Sequence, residues 1–313
     1  MKTLIAAMTI ALTVALTPHM AGDRHPDTYV VSREPGVLPE GIAVTDDGTM
    51  YVTSVGTGAV YRGDTSVGVL RPFLPAGSDG RTRAAGVRVD HRGRLFVAGY
   101  DTGFLFVHAA DGTLVARRVA DAGAALNDLV LTRDAVYVTD SATGTIWRAA
   151  LDGPHVGELT RWLTAADFPT GPGFLNGIVA TPDGRFALVA DQGTGSPGSE
   201  RLYRVDLATR TTTVVAVAGG QLGADGLLLE GDRLYGVVNF PDGNGGWRFA
   251  VNLALLGQDG RTARVVRQSG AAPLEQSPTT IAREGQRLLW VNSQLNADAP
   301  SPPFTVTQVP GLR

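Results

Sequence analysis

The chain has 313 residues and a formal net charge of −3, so it can bury a large core and carries no basic footprint for nucleic acid. It has no cysteine, and its only lysine is Lys2. Disulfides, zinc–thiolate sites, cysteine nucleophiles and Schiff-base lysines are therefore excluded from any mature domain.

The chain opens "MKTLIAAMTIALTVALTPHMAGD", one positive charge followed by an apolar run from Leu4 to Leu16. That run is short for a membrane span, which needs about 20 residues, and it fits the apolar region of a secretory signal peptide. Residues 1–22 are expected to be removed, leaving a secreted, extracellular domain over 23–313 that is monomeric and free of the membrane.

After a strand-like run, "TYVVSR" (28–33), one phrase recurs six times. It reads "PEGIAVTDDG" (from 39), "AAGVRVDHRG" (84), "LNDLVLTRDA" (126), "LNGIVATPDG" (175), "ADGLLLEGDR" (224) and "PTTIAREGQR" (278). Its second residues, Glu40, Ala85, Asn127, Asn176, Asp225 and Thr279, are spaced by 45, 42, 49, 49 and 54 residues. Repeats of about 40–50 residues with four strands each indicate a β-propeller. In the fourth unit the spacing predicts strands A to D over 176–181, 185–190, 201–206 and 211–217, with tight turns at "TPDGR" and "DLATRT". Forty glycines and 18 prolines punctuate these runs. The sixth unit supplies three strands, so residues 28–33 are expected to complete it and close the ring. The fold class is thus all-β, a six-bladed propeller closed by its N-terminal strand.

In a propeller the A strands line the central channel, so the six second residues meet at one end of it. Two carboxylates and two carboxamides converging there make an all-oxygen site. It suits Ca²⁺ first and Mg²⁺, Mn²⁺ or Zn²⁺ as alternative divalent ions. A polar plug satisfied by water and turn hydrogen bonds is the competing reading. A second polar set, Ser54, Asp140, Asp191 and Asn292, follows the B strands and is expected to hold turns. The longer insertions fall on the same face as the column: 74–84, 167–174, 192–200, 241–247 and 295–303. Trp247, Phe174 and Tyr100 are candidates for an apolar pocket wall.

These phrases resemble the gluconolactonase and regucalcin family of six-bladed calcium-dependent propellers over roughly 39–311. The resemblance implies a metal held by Glu40 in "PEGIAV", Asn176 in "LNGIVATPDG" and Asp225 in "ADGLLL". It implies substrate contact by Asn127 and proton transfer by Asp225, with Glu40 second. The activity implied is calcium-dependent hydrolysis of a lactone or related ester. Ala125 stands where the family has an arginine that grips sugar lactones, which points away from sugar substrates. The alternative from another class is a non-catalytic propeller that binds a ligand or protein, its cation only structural.

Other motifs carry less. "GTGSPG" (193–198) has dinucleotide-loop spacing but no helix after it. No Gly-x-Ser-x-Gly elbow occurs. "DGNG" (242–245) lacks the distal glutamate of a calcium loop. The five histidines lack metal-ligand spacing and are all expected at the surface.

Overall fold

The computed structural model describes residues 25–312 apart from 197 and 242–245. The expected signal peptide therefore lies outside the described residues, as does "DGNG". Six antiparallel sheets form the blades of a propeller. Their inner strands are Pro39–Val44, Val87–Val89, Leu126–Leu131, Leu175–Ala180, Leu227–Glu230 and Pro278–Glu284. Each is followed outward by a B, a C and a D strand, as the repeat predicts.

The ring closes as expected. Thr28–Ser32 pairs antiparallel with Phe304–Gln308 and is the outer strand of blade 6. Tyr29 anchors it: the ring is fully buried, its hydroxyl donates to Thr65 O at 2.7 Å, and it accepts from Arg287 Nη2 at 2.5 Å.

The D strand of blade 4 departs from expectation. It covers only Thr212–Val214, and the chain then crosses to run as Ala216–Ala218 parallel to Thr262–Gln268, making a fifth strand on blade 5. The pivot is Val215. Its side chain is buried and its N–H still donates to Leu202 O at 2.8 Å, while Ala216 N already donates to Arg261 O at 2.9 Å.

The core is divided into six apolar clusters, each wedged between two adjacent blades. Phe96 and Leu105 of blade 2 meet Val136 and Trp147 of blade 3. Met50 and Val52 of blade 1 meet Leu289 and Phe304 of blade 6. B strands such as Ala135–Asp140 are buried along their whole length because a blade covers each face. That is why they read as unbroken apolar runs.

One histidine contradicts the surface assignment. His108 is fully buried between blades 1 and 2, beside an equally buried Arg81. Arg81 donates from Nε to Gly58 O at 2.6 Å and from Nη2 to Ser78 Oγ at 3.0 Å, and its Nη1 lies 3.1 Å from His108 Nε2. A guanidinium only donates, so Nε2 accepts and the imidazole is neutral, its Nδ1–H facing Gly112 O at 3.2 Å. The sequence hid this residue because its apolar neighbours Val107 and Phe106 carry the strand inward.

Two tests follow from these contacts. Replacing Tyr29 by alanine is expected to lower unfolding free energy by about 3–5 kcal/mol, the range for removing a large buried aromatic, as read by urea denaturation. Burial, then the Arg81 charge, hold the His108 pKa below its ordinary value, while the Gly112 carbonyl opposes them. The unfolded chain therefore binds a proton that the folded chain refuses. Stability should fall as pH drops through about 6.5, the unfolded value. A His108→Gln variant, whose carbonyl still accepts from Arg81, should lose less stability between pH 7 and pH 5 than the wild type does.

Candidate functional site

A β-bulge creates the site. In four blades the A–B register slips between the first and fourth residue of the phrase, at Pro39/Ile42, Leu126/Leu129, Leu175/Ile178 and Pro278/Ile281. The extra residue lifts the second and third positions out of the ladder and turns them toward the axis. Glu40, Asn127, Asn176, Asp225, Ala85 and Thr279 consequently all line one cavity of about 390 Å³ at the end of the channel. The sequence-predicted column is brought together as a group.

Each member is held differently. Asn127 Nδ2 donates to Ser141 Oγ at 2.9 Å, and Ser141 Oγ donates to Leu175 O at 2.6 Å. Asn176 Nδ2 donates to Gln192 Oε1 at 3.0 Å. Thr279 is occupied in bracing the ring, since its Oγ1 donates to Glu40 O at 2.8 Å. Glu40 is buried, and its Oε2 has no hydrogen-bond partner. Asp225 sits just before its strand and keeps part of its surface open.

A third carboxylate, which sequence reasoning missed, lies among them. Asp128 is buried, accepts from Arg88 Nη2 at 3.1 Å and from Leu129 N at 2.8 Å, and contacts Ile178 N at 3.4 Å. The signal was present in the phrase: its third residue is glycine in four blades, and blade 3 has Asp128 instead. Arg88 pairs with Asp128 but does not fully offset its burial, which still raises that carboxyl, and among the described residues neither Glu40 nor Asp225 has an ion pair of its own. Burial foremost, then Asp225 and Asp128, drive the Glu40 carboxyl well above its usual range, with Arg88 opposing. Burial also pushes Asp225 up to about 7, against the Asn176 hydrogen bond and with help from Asp128.

Among the described residues no three histidine, acidic or cysteine side chains stand close enough to hold a metal by themselves. The oxygen set here is instead mixed, two carboxylates with two carboxamides. It fits a hard divalent cation on two grounds: Glu40 Oε2 is orphaned in the interior, and neither Glu40 nor the partly open Asp225 beside it has an ion-pair partner among the described residues.

Three of the second polar set hold turns as expected, Ser54 by accepting from Thr57 N at 3.0 Å, whereas Asn292 donates across the sheet to Thr305 Oγ1 at 2.9 Å and Thr307 Oγ1 at 3.0 Å. Asp140 accepts from Ala125 N at 2.9 Å, Ala142 N at 3.0 Å and Trp147 Nε1 at 3.0 Å. Asp191 accepts from Phe174 N at 2.8 Å and Gly193 N at 2.9 Å. Both hold turns rather than facing the cavity. The wall comes from Phe174, Val237, Val238, Phe249 and Leu295 on one side, with Tyr100 and Arg83 from blade 2. Trp247 is a correction: it stands at the tip of a long hairpin, 44% exposed and off the cavity, and Phe249 two residues on takes the wall position. The two share one face of the strand, and it is Trp247's place two residues further along the hairpin that carries it past the cavity.

No protein-family model matches the chain, and a search of curated proteins finds no match. Solved structures do match. A calcium-binding protein, regucalcin, from Agrobacterium tumefaciens is 18% identical with a TM-score of 0.59, over 92% of this chain and 95% of that one. A gluconolactonase from Xanthomonas campestris is 17% identical with a TM-score of 0.57, over 87% and 86%. A virginiamycin B lyase from Staphylococcus aureus is 9% identical with a TM-score of 0.59, over 90% and 98%. In fold the chain is a gluconolactonase- and regucalcin-like propeller, and the lyase shows that the same fold serves other chemistry.

The carboxylate pair makes a prediction for protein stripped of divalent ions. Asp225 ionises near 3.8 when unfolded and near 7 when folded, so the folded chain binds the extra proton between those values. Stability contributed by that proton is present at low pH and lost as pH rises through about 7, by about 4 kcal/mol in all. Asp225→Asn should therefore stabilise the stripped protein more at pH 8 than at pH 5, measured by urea midpoints.

Proposed function

We propose that this chain is a calcium-dependent hydrolase of lactones or related esters. The observation that carries the reading is the unpartnered Glu40 Oε2 beside Asp225, on the floor of a cavity with an apolar wall. The fold likeness to a gluconolactonase and to regucalcin supports it.

Glu40, Asn176 and Asp225 would hold the cation, each offering an oxygen from a different blade. Bound Ca²⁺ would supply Lewis-acid polarisation of the scissile carbonyl and charge stabilisation for the tetrahedral oxyanion. Asn127 orients the substrate: Ser141 fixes its amide nitrogen outward, which leaves the carboxamide oxygen facing the cavity. Asp225 takes the proton from the attacking water, with Glu40 as the second carboxylate. Phe174, Val237, Val238, Phe249 and Leu295 receive an apolar acyl or alkyl chain and exclude water from it. Since Ala125 offers no cationic grip, apolar γ- and δ-lactones are the favoured class over sugar lactones.

The decisive experiment assays a panel of lactones and aryl esters with Ca²⁺ and with chelator. Calcium should raise the melting temperature, by an amount equivalent to about 2.7 kcal/mol at a hundredfold excess over Kd, and Asp225→Ala should abolish that rise. Asn127→Ala should retain calcium binding by calorimetry and lose about 10²-fold or more in kcat. Calcium binding without turnover on any member of the panel would replace the hydrolase by a ligand-binding propeller.

A further inference from the structure

The wall contributed by blade 2 is the part of the cavity to which the chemistry above gives no task. At the column this blade supplies only the methyl of Ala85, and its other cavity-lining residues are Tyr100 and Arg83. Tyr100 has a φ of 50°, the left-handed region, which is strained for a residue with a Cβ. Glycine or asparagine would make the same turn at lower cost. The backbone is clamped there: Tyr100 N donates to Leu126 O at 2.9 Å, and Tyr100 O accepts from Leu126 N at 3.0 Å. A costly conformation is thus locked in place beside Asn127, and what it delivers to the cavity is a phenol.

That phenol is unspent. The residue is part-buried at the cavity, and its hydroxyl makes no hydrogen bond to any other described residue. Burial first, then Asp101 and Glu40, with a smaller push from Asp225, raise its pKa above the ordinary tyrosine value against Arg83, so it keeps its proton. Arg83 is committed elsewhere, with Nε 3.2 Å from Asp101 Oδ1 and Nη1 donating to Val55 O at 3.3 Å. The floor offers acceptors: the carboxylates of Glu40 and Asp225 and the carboxamide oxygens. An ester has two oxygens that gain negative charge during hydrolysis, the carbonyl oxygen on attack and the alkoxy oxygen as its bond to carbon breaks. Acceptors can serve neither directly. A bound cation would serve the first; at the second, Asp225 returns its proton as the bond breaks, and a further donor from the chain can steady the charge that builds before that transfer.

Resting on the hydrolase reading, we propose that the Tyr100 hydroxyl donates a hydrogen bond to the alkoxy oxygen of the substrate. Water's oxygen bonds to the acyl carbon and its proton passes to Asp225. The C–O bond then breaks, its electron pair stays on the alkoxy oxygen under the phenol's hydrogen bond, and that oxygen takes the proton back from Asp225. Tyr100 keeps its own proton, so the net change is one water added across the C–O bond. The contact matters most where the leaving alkoxide is poor, as in aliphatic lactones.

The test is Tyr100→Phe, compared on an alkyl-substituted δ-lactone and on a 4-nitrophenyl ester, whose phenolate leaves without help. Turnover of the lactone should fall about 10²-fold, that of the aryl ester less than about threefold, with the melting temperature unchanged. Tyr100→Asn should melt at the same temperature or higher, because asparagine tolerates the left-handed turn. Equal losses on both substrates, or none on either, would overturn the proposal. Calorimetry with an alkyl-substituted cyclic ether, which has the ring oxygen but no scissile ester, separates the two readings. Tyr100→Phe should weaken its binding about tenfold. Ether binding that depends on Tyr100, in a protein that hydrolyses nothing, would keep the contact and remove the hydrolase; ether binding that ignores Tyr100, or is absent, would remove the contact.

Discussion

Each blade meets the next through the carbonyl of the second residue of its repeated phrase, and the structure hangs on that ring of contacts. Glu40 O accepts from Thr279 and Thr280 of blade 6, and Ala85 O from Thr53 of blade 1. Asn127 O accepts from Gly86 N at 2.8 Å, Asn176 O from Thr139 Oγ1 at 2.7 Å and Thr279 O from Gly226 N at 2.8 Å. At the remaining seam Gly177 packs directly against Asp225 O, and a Cβ there would clash with that carbonyl. The bulge in strand A frees these groups from their own ladder, and the neighbouring blade satisfies them. Each bond contributes only about 1 kcal/mol net, but leaving its buried carbonyl unpaired would cost more. The same bulge that joins the blades turns the second side chain of each phrase into the cavity, so closure of the ring and construction of the site are one event.

Concentrating side chains on an axis also concentrates charge. Glu40, Asp128 and Asp225 share a small interior volume in which Arg88 is the one cationic influence on Glu40. Its ion pair with Asp128 is mostly shielded, with the Asp128 side chain 2% exposed. All three carboxyls are nonetheless pushed up, foremost by burial, the outcome expected when ionised groups are taken out of water without full compensation. Carboxyls raised in this way are costly to ionise until a positive charge or a proton meets them.

The cavity above this floor has a mixed wall. Blades 4, 5 and 6 give it Phe174, Val237, Val238, Phe249 and Leu295 together with the amides of Gln192, Asn239 and Asn296, while blade 2 gives it a phenol and a guanidinium. The matched solved structures share the scaffold at 9–18% identity, a level at which loops and rims are free to differ.

Sequence periodicity determined the blade count, the strand order within each blade, the closing role of residues 28–33 and the convergence of Glu40, Asn127, Asn176 and Asp225. It could do so because all of these depend on local alternation and on a phrase repeated at nearly constant spacing, and a repeat places equivalent residues at equivalent radii. The tertiary structure alone decided what depends on a single copy differing from the others, or on contacts between distant segments. Asp128 becomes a buried third carboxylate because Gly86 of the adjoining blade leaves room for it, a Cβ at that glycine coming within 2.7 Å of Asp128 Oδ1. His108 becomes neutral because Arg81, distant in sequence, spends a donor on it. Trp247 yields the wall to Phe249, and Tyr100 acquires its left-handed turn, through pairings that no repeat encodes. Alternation fixes on which face of a strand a side chain lies, but only the packing of one blade against the next fixes what that face meets.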